Sequence, residues 1–81
     1  MVTRIGVVGI VIEDRTYVPE VNSILSDHGE IIVGRMGIPY RDRHVAVISL
    51  IVDGSTDDIG SLTGRLGGVK GVTVKSALTK K

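Results

Sequence analysis

The chain has 81 residues, enough for one domain, and contains no cysteine. The absence of cysteine excludes disulfide reinforcement, thiolate metal sites, iron–sulfur clusters and thiol catalysis. Ten basic residues stand against nine acidic ones, which gives a net charge of +1. This balance lacks the basic excess typical of proteins that bind nucleic acids or anionic membranes. We therefore expect neither kind of partner.

No targeting or membrane segment is indicated. The longest apolar run, residues 5–12, is far shorter than the roughly 20 residues that cross a bilayer. No small-residue cleavage site follows the run, as one would in a signal peptide. We interpret it as a buried strand and expect a cytoplasmic protein, in keeping with the lack of disulfides.

The first half of the chain predicts a strand, a helix and a second strand. Arg4–Ile12 is apolar on both alternating faces, which is typical of a central strand covered on two sides. Apolar residues then recur at helical spacing from residue 17 or 18 to residue 28, and Gly29 is expected as a left-handed cap. Residues 30–40 are strand-like but interrupted by glycines and by Pro39, which indicates a sheet edge.

The second half predicts a central strand, a helix and an edge strand. Residues 44–52 are apolar on both faces, and Asp53-Gly54 is expected to be a turn. Ser55 is expected to cap a helix that ends at Gly67-Gly68. The buried face of this helix is predicted to carry Ile59, Leu62 and Leu66. Val72–Leu78 has one polar face and a lysine, as edge strands often do.

This order of elements, β-α-β-β-α-β, predicts an α+β, ferredoxin-like fold in a single domain over residues 1–81. Right-handed crossovers and the edge features give an antiparallel sheet of order 4-1-3-2 with two helices on one face. The central strands are apolar on the other face as well, and no segment is left to cover it. We therefore expect a homodimer or homotetramer in which a second copy covers that face or a sheet edge.

A ligand-binding site is predicted between the first strand–helix loop and the second strand, at a subunit boundary. The loop supplies Glu13, Asp14 and Arg15. It precedes a helix whose first N–H groups are expected to be unpaired and to favour an anion. The ligand is therefore expected to be small and anionic, such as an amino acid.

The second strand would supply the other half of this site. Arg35 is suited to a carboxylate, Gly37 to close approach of a ligand, and Tyr40 to a flat wall with a polar tip. Two alternatives remain open from the sequence. Arg35 and Tyr40 are equally suited to pair across the subunit interface, and the glycines of this strand are more typical of a bulge or of close backbone approach than of a ligand site.

No catalytic or metal-binding constellation is indicated, and we predict no catalytic residue, no metal and no cofactor. His28 and His44 lack the spacing and the thiol partners of a metal site, and His28 is expected to stabilise the end of its helix. Gly60, Gly64 and Gly67 form a stripe on the second helix. Such a stripe favours close helix–helix packing or, alternatively, a backbone that faces a ligand.

Four segments occur together in a distinctive order: residues 12–15 (IEDR), 21–25 (VNSIL), 34–41 (GRMGIPYR) and 59–67 (IGSLTGRLG). In that order they resemble the family of iron-only hydrogenase system regulators, small single-domain proteins with an ACT-like fold. The resemblance implies oligomers like those of ACT domains and of the C-terminal domain of nickel-responsive regulators.

Two departures limit what the resemblance implies. The nickel-binding relatives use a cysteine and several histidines that this chain does not offer, so nickel is not implied. Amino-acid-binding ACT domains often place a glycine in the loop after the first strand, whereas residues 13–17 contain none. Amino-acid effectors are thus implied by analogy only.

Together these observations favour a non-enzymatic regulatory module. We expect an ACT-like homo-oligomer that senses a small ligand or modulates a partner protein, with the resemblance implying regulation of an iron-only hydrogenase system. The alternative is a DNA-associated transcriptional regulator, which the net charge of +1 opposes. An enzyme has the least support, because no reactive group is recognisable in the sequence.

Overall fold

The computed structural model describes residues 2–80, so the part of the expected domain at Met1 and Lys81 lies outside the described residues. The elements follow the predicted order. Their bounds are Arg4–Ile12 for β1, Val18–Asp27 for α1, Ile32–Tyr40 for β2, Val45–Gly54 for β3, Thr56–Gly67 for α2 and Val72–Leu78 for β4. Single 3-10 turns occupy Arg15–Tyr17, Gly29–Ile31 and Arg41–Arg43.

The four strands form one antiparallel sheet in the order β2-β3-β1-β4, which confirms the predicted order. β1 pairs with β3 along its whole length, from Arg4 opposite Gly54 to Ile12 opposite Ala46. β4 pairs with the other side of β1, and β2 with the other side of β3. The two strands that are apolar on both faces therefore lie in the centre of the sheet.

The core lies between the sheet and the two helices, on one face of the sheet only. Alternate residues of the central strands are buried there, which follows from the two-residue period of a strand: Val8, Ile10, Ile12, Ala46, Ile48, Leu50 and Val52. The helices contribute the apolar positions that their periodicity predicted, namely Val21, Ile24, Leu25, Ile59, Leu62 and Leu66. Both helices therefore cover the same face, which we call the helix side, and we call the opposite face the open face.

The start of α2 is capped as predicted. The Ser55 hydroxyl oxygen accepts a hydrogen bond of 3.0 Å from the Asp58 backbone N–H, which satisfies one of the N–H groups that a helix start leaves unpaired. Asp57 and Asp58 lie in the first turn, where the helix dipole favours negative charge.

Two predicted boundaries are wrong. Gly29 is not a left-handed cap, since Gly71 is the one described glycine with a positive φ. His28 ends α1 instead, and the chain turns directly into Gly29–Ile31. Asp53 and Gly54 do not form a turn, because they extend β3 opposite Ile5 and Arg4.

Candidate ligand-binding site

A hollow opens on the helix side between α1 and the edge strand β2. Its volume is about 170 Å³. The residues around it that bear on binding are Arg15, Val18, Asn22, Arg35, Gly37, Ala46 and Ile48. Of the six residues predicted to bind a ligand, the fold therefore brings three together here: Arg15, Arg35 and Gly37.

Arg35 reaches the hollow because of its register in the sheet. It pairs with Leu50, whose side chain is buried on the helix side, and paired residues share a face. From there its Nη2 donates a hydrogen bond of 3.0 Å to Asn22 Oδ1 on α1. Asn22 was not among the predicted site residues. It follows Val18 by four positions, so its position on the same helical face could have indicated it.

Gly37 leaves space that another residue would fill. It pairs regularly with Ile48, since the irregularity in β2 lies earlier, between Ile32 and Gly34. A methyl group on Gly37 would meet Ile48 Cγ1 at 3.7 Å, an ordinary contact. Packing therefore does not require glycine here, and the missing side chain contributes to the depth of the hollow.

Arg15 supplies a second cation at the hollow. It begins the 3-10 turn that leads into α1. Within residues 2–80 its side chain forms no hydrogen bond or ion pair. Among residues 2–80 no acidic residue lines the hollow, so the two guanidinium groups make it electropositive. Guanidinium groups bind carboxylates through paired N–H donors, which makes the hollow suited to an anion.

Asp14 plays a different role from the one predicted for the loop. Its Oδ1 accepts a hydrogen bond of 2.9 Å from the Thr16 backbone N–H, and its carbonyl oxygen accepts one of 3.1 Å from Tyr17. Hydrogen bonding from Thr16, first through the backbone N–H, lowers the pKa of the Asp14 carboxyl below its ordinary value. The chain's own carboxylate therefore engages the Thr16 N–H, whereas the N-cap residue of α1, Tyr17, forms no side-chain capping hydrogen bond.

Glu13 also lies away from the hollow. Its backbone N–H donates a hydrogen bond of 2.8 Å to the carbonyl oxygen of Gly71 in the α2–β4 loop. Gly71 has a φ of 76°, a left-handed conformation that favours glycine. This contact joins the two loops at one end of the sheet. The structure thus gives the Asp14 side chain and the Glu13 backbone roles in folding.

Tyr40 does not reach the hollow either. It pairs with Val45, whereas Arg35 pairs with Leu50, and the two β2 residues are separated by five positions in a strand with no irregularity between them. Because side chains alternate between faces, Tyr40 lies on the open face. The predicted wall for a ligand at Arg35 is therefore on the opposite side of the sheet.

The open face is rich in exposed apolar side chains. Its largest are Ile5, Val7, Met36, Ile38, Tyr40, Val47 and Ile51, all at least 40% exposed. Val7 and Ile51 are paired neighbours on the two central strands, so the apolar surface runs through the middle of the sheet. The predicted apolar pattern on both sides of β1 and β3 is confirmed, and within the described chain one of those sides has no cover.

The glycine stripe of α2 does not pack against α1. An added Cβ at Gly60, Gly64 or Gly67 would find no atom within 4 Å. Within residues 2–80 the stripe therefore does not make the close helix–helix packing that we expected. The stripe lies beside a groove of about 460 Å³ between α2 and β4.

His28 lies at the end of α1, as predicted. Its Nδ1 lies 2.8 Å from the carbonyl oxygen of Ile24. Since a carbonyl can only accept, Nδ1 is the donor. Nε2 lies 3.3 Å from the Ser61 hydroxyl of α2. His28 thus satisfies a carbonyl of the last helical turn and links the two helices.

Residues 2–80 offer neither a metal cluster nor a helical membrane span. In this part of the chain no three side chains of His, Asp or Glu come together as a metal site would require. No helix there is long and apolar enough to span a membrane.

The fold places the chain in the class of ACT-like, ferredoxin-like domains. The ACT domain of GTP pyrophosphokinase from Chlorobium tepidum has a TM-score of 0.72 at 18% identity, covering 100% of this chain and 91% of that one. CPII, a PII-like nitrogen regulatory protein from Thiomonas intermedia K12 bound to ADP, AMP and bicarbonate, has a TM-score of 0.54 at 14% identity, covering 96% and 92%. At these identities the likeness shows the fold alone.

A closer relationship is found with the uncharacterized protein TM1266 from Thermotoga maritima. Its TM-score is 0.91 at 38% identity, covering 98% of this chain and 100% of that one. The model of the TM1266-like family, provisionally described as iron-only hydrogenase system regulators, matches residues 4–76. The chain belongs to this family, which confirms the resemblance seen in the sequence. No curated protein matches the chain.

Proposed function

We propose that the protein is a non-enzymatic regulatory module that senses a small anionic ligand in the α1–β2 hollow. The observation that carries the proposal is the pair Arg15 and Arg35 at an apolar hollow without an acidic residue in its lining. The guanidinium and amide groups in the lining can bind and orient an anion. The rest of the lining is aliphatic. These lining groups do not include a nucleophile paired with a base, as covalent catalysis requires.

Ligand binding is tested by thermal shift with acetate, bicarbonate, phosphate and short carboxylic acids, each against chloride at equal ionic strength. A ligand raises the melting temperature by mass action when it binds only the folded state. We expect at least one anion to stabilise the protein and Arg35→Gln to abolish the effect. Arg41→Gln is the matched control, because Arg41 lies in the β2–β3 turn, outside the residues that line the hollow. If no anion acts, or if both variants behave alike, the proposal is wrong.

The second part of the proposal is that the module works as a homodimer or homotetramer through the open face. Nine-residue strands at about 3.3 Å per residue and four strands about 4.8 Å apart give a footprint of roughly 570 Å² per copy. Two copies would then bury about 1,100 Å², which exceeds the roughly 1,000 Å² expected of a biological interface. A second copy of the chain can cover the open face with its own open face, since sheets pack face to face through apolar side chains.

The assembly is tested by light scattering at tens of micromolar protein. We expect a mass of two or four chains, and Val7→Lys or Ile51→Lys should reduce it by placing a charge in the middle of the open face. Ser23→Lys is the control, because Ser23 is exposed on α1. A wild-type monomer, or an unchanged mass in both open-face variants, would refute the role of this face.

The regulated system is proposed from the family description, which names the iron-only hydrogenase system. If the module acts through a partner protein, duplex DNA should not bind it at low micromolar concentration. Binding that weakens steeply as salt rises would instead support direct action on DNA, because phosphate contacts release counterions.

A further inference from the structure

The size of the α1–β2 hollow indicates how much of a ligand it can enclose. Its volume of about 170 Å³ is close to the roughly 150 Å³ of a cavity that accepts benzene, and below the 300–1,000 Å³ typical of sites for drug-sized ligands. A ligand with about six to eight heavy atoms matches this volume. A nucleotide is larger than this volume, so only part of one would fit inside the hollow.

The floor of the hollow is apolar. Val18 from α1 and Ala46 and Ile48 from β3 supply aliphatic surface, and Gly37 leaves the space above them open. Ala46 and Ile48 belong to the buried core, so the floor is held in place by the packing of the sheet. A short hydrocarbon chain would be removed from water there, which is favourable in proportion to the apolar area covered.

The polar groups at the hollow select the head of the ligand. Arg15 and Arg35 provide donors for a carboxylate. A positively charged ammonium group would find no carboxylate to pair with, since no acidic residue lines the hollow. Asn22 Oδ1 already accepts a hydrogen bond from Arg35. The ammonium group of an amino acid would therefore lie near two arginines of the same charge. A ligand without this ammonium group is a better electrostatic match for the hollow.

From these three features we propose that the hollow binds a small monocarboxylate with a short aliphatic tail and no α-ammonium group. This inference rests on the proposed function, because it names the ligand class of the same site. It differs from the expectation of an amino acid. A carboxylic acid or 2-oxo acid of four to six carbons has the required charge, size and tail.

The test is calorimetric titration of the intact protein with four probes. 3-Methylbutanoate carries the carboxylate and the tail, valine adds an α-ammonium group to the same carbon skeleton, 3-methylbutanamide removes the charge, and acetate removes most of the tail. We expect 3-methylbutanoate to bind at least tenfold more tightly than each of the other three. Valine binding as tightly as 3-methylbutanoate would overturn the inference and would leave the proposed anion sensor intact. Equal binding of the amide, or no binding by any probe, would also overturn it.

Two variants test the assigned location. Arg35→Gln should weaken 3-methylbutanoate by about tenfold or more, the loss expected for a charge-assisted hydrogen bond, whereas Arg41→Gln should not. Gly37→Ala places a methyl group in the floor at an ordinary contact distance from Ile48. It should weaken 3-methylbutanoate several-fold and leave acetate unchanged. Equal effects on both acids, or none on either, would show that the tail lies elsewhere. Circular dichroism confirms that each variant is folded.

Discussion

Substitutions in the exposed glycine stripe of α2 are predicted to stabilise the protein, whereas most substitutions destabilise a protein. Each glycine inside a helix costs about 0.8–1 kcal/mol relative to alanine, and at Gly60 and Gly64 an added Cβ would meet no atom within 4 Å. The double variant Gly60→Ala/Gly64→Ala should therefore raise the free energy of unfolding by about 1.5–2 kcal/mol. For a domain of this size, such a gain corresponds to a rise in melting temperature of roughly 6–15 °C.

The assay is urea unfolding at fixed protein concentration, so that any contribution from oligomerisation stays constant. Gly54→Ala is the matched control, because its Cβ would lie 2.8 Å from Ile31 Cγ2. That crowding should destabilise the protein by about 1–3 kcal/mol. A double variant of α2 that is less stable than the wild type, or that loses mass in light scattering, would refute the reasoning. It would show that another chain packs against the stripe.

Two further predictions concern the caps of the helical segments. Ser55→Ala removes the acceptor for the Asp58 N–H and should lower stability by about 1 kcal/mol in urea, whereas Ser23→Ala on the exposed face of α1 should change it little. The Asp14 carboxyl has a lowered pKa in the folded state, so its contribution to stability is present above the ordinary carboxyl pKa and is lost as the pH falls through the lowered value. Asp14→Asn should therefore flatten part of the loss of stability as the pH falls below the ordinary carboxyl pKa in an acid titration, and an unchanged acid profile would contradict this.

Much of the fold could be predicted because the burial pattern repeats with a period of two. The alternation of Val8, Ile10 and Ile12 with Ile5 and Val7 is visible in the sequence, and the structure buries the first set and exposes the second. Apolar residues on both faces identified β1 and β3 as central, and right-handed crossovers then left few topologies. These features depend on local sequence and on a general rule of chain connection.

The candidate site was predicted only in part, because it depends on pairing register and on local hydrogen bonds. Arg35 and Gly37 differ by two positions and share a face, whereas Tyr40 lies an odd number of positions away from both. The alternation of side chains along a strand is enough to separate Tyr40 from the other two. The engagement of Thr16 by Asp14 was harder to foresee, since a carboxylate before a helix is equally suited to bind outward or to cap its own chain.

The edge strand β2 connects the two proposed functional surfaces through its pleat. Arg35 and Gly37 face the hollow on the helix side, while Met36 and Tyr40 face the open side. A change at Gly37 therefore alters the hollow and leaves the side chains of the open face in place. A change at Tyr40 alters the open face and leaves Arg35 and Gly37 in place. Because the two surfaces share a strand but no side chain among these four, ligand binding and assembly can be perturbed independently. A loss of ligand binding in Tyr40→Ala would accordingly mean that assembly completes the site, and a retained affinity would mean that each chain binds alone.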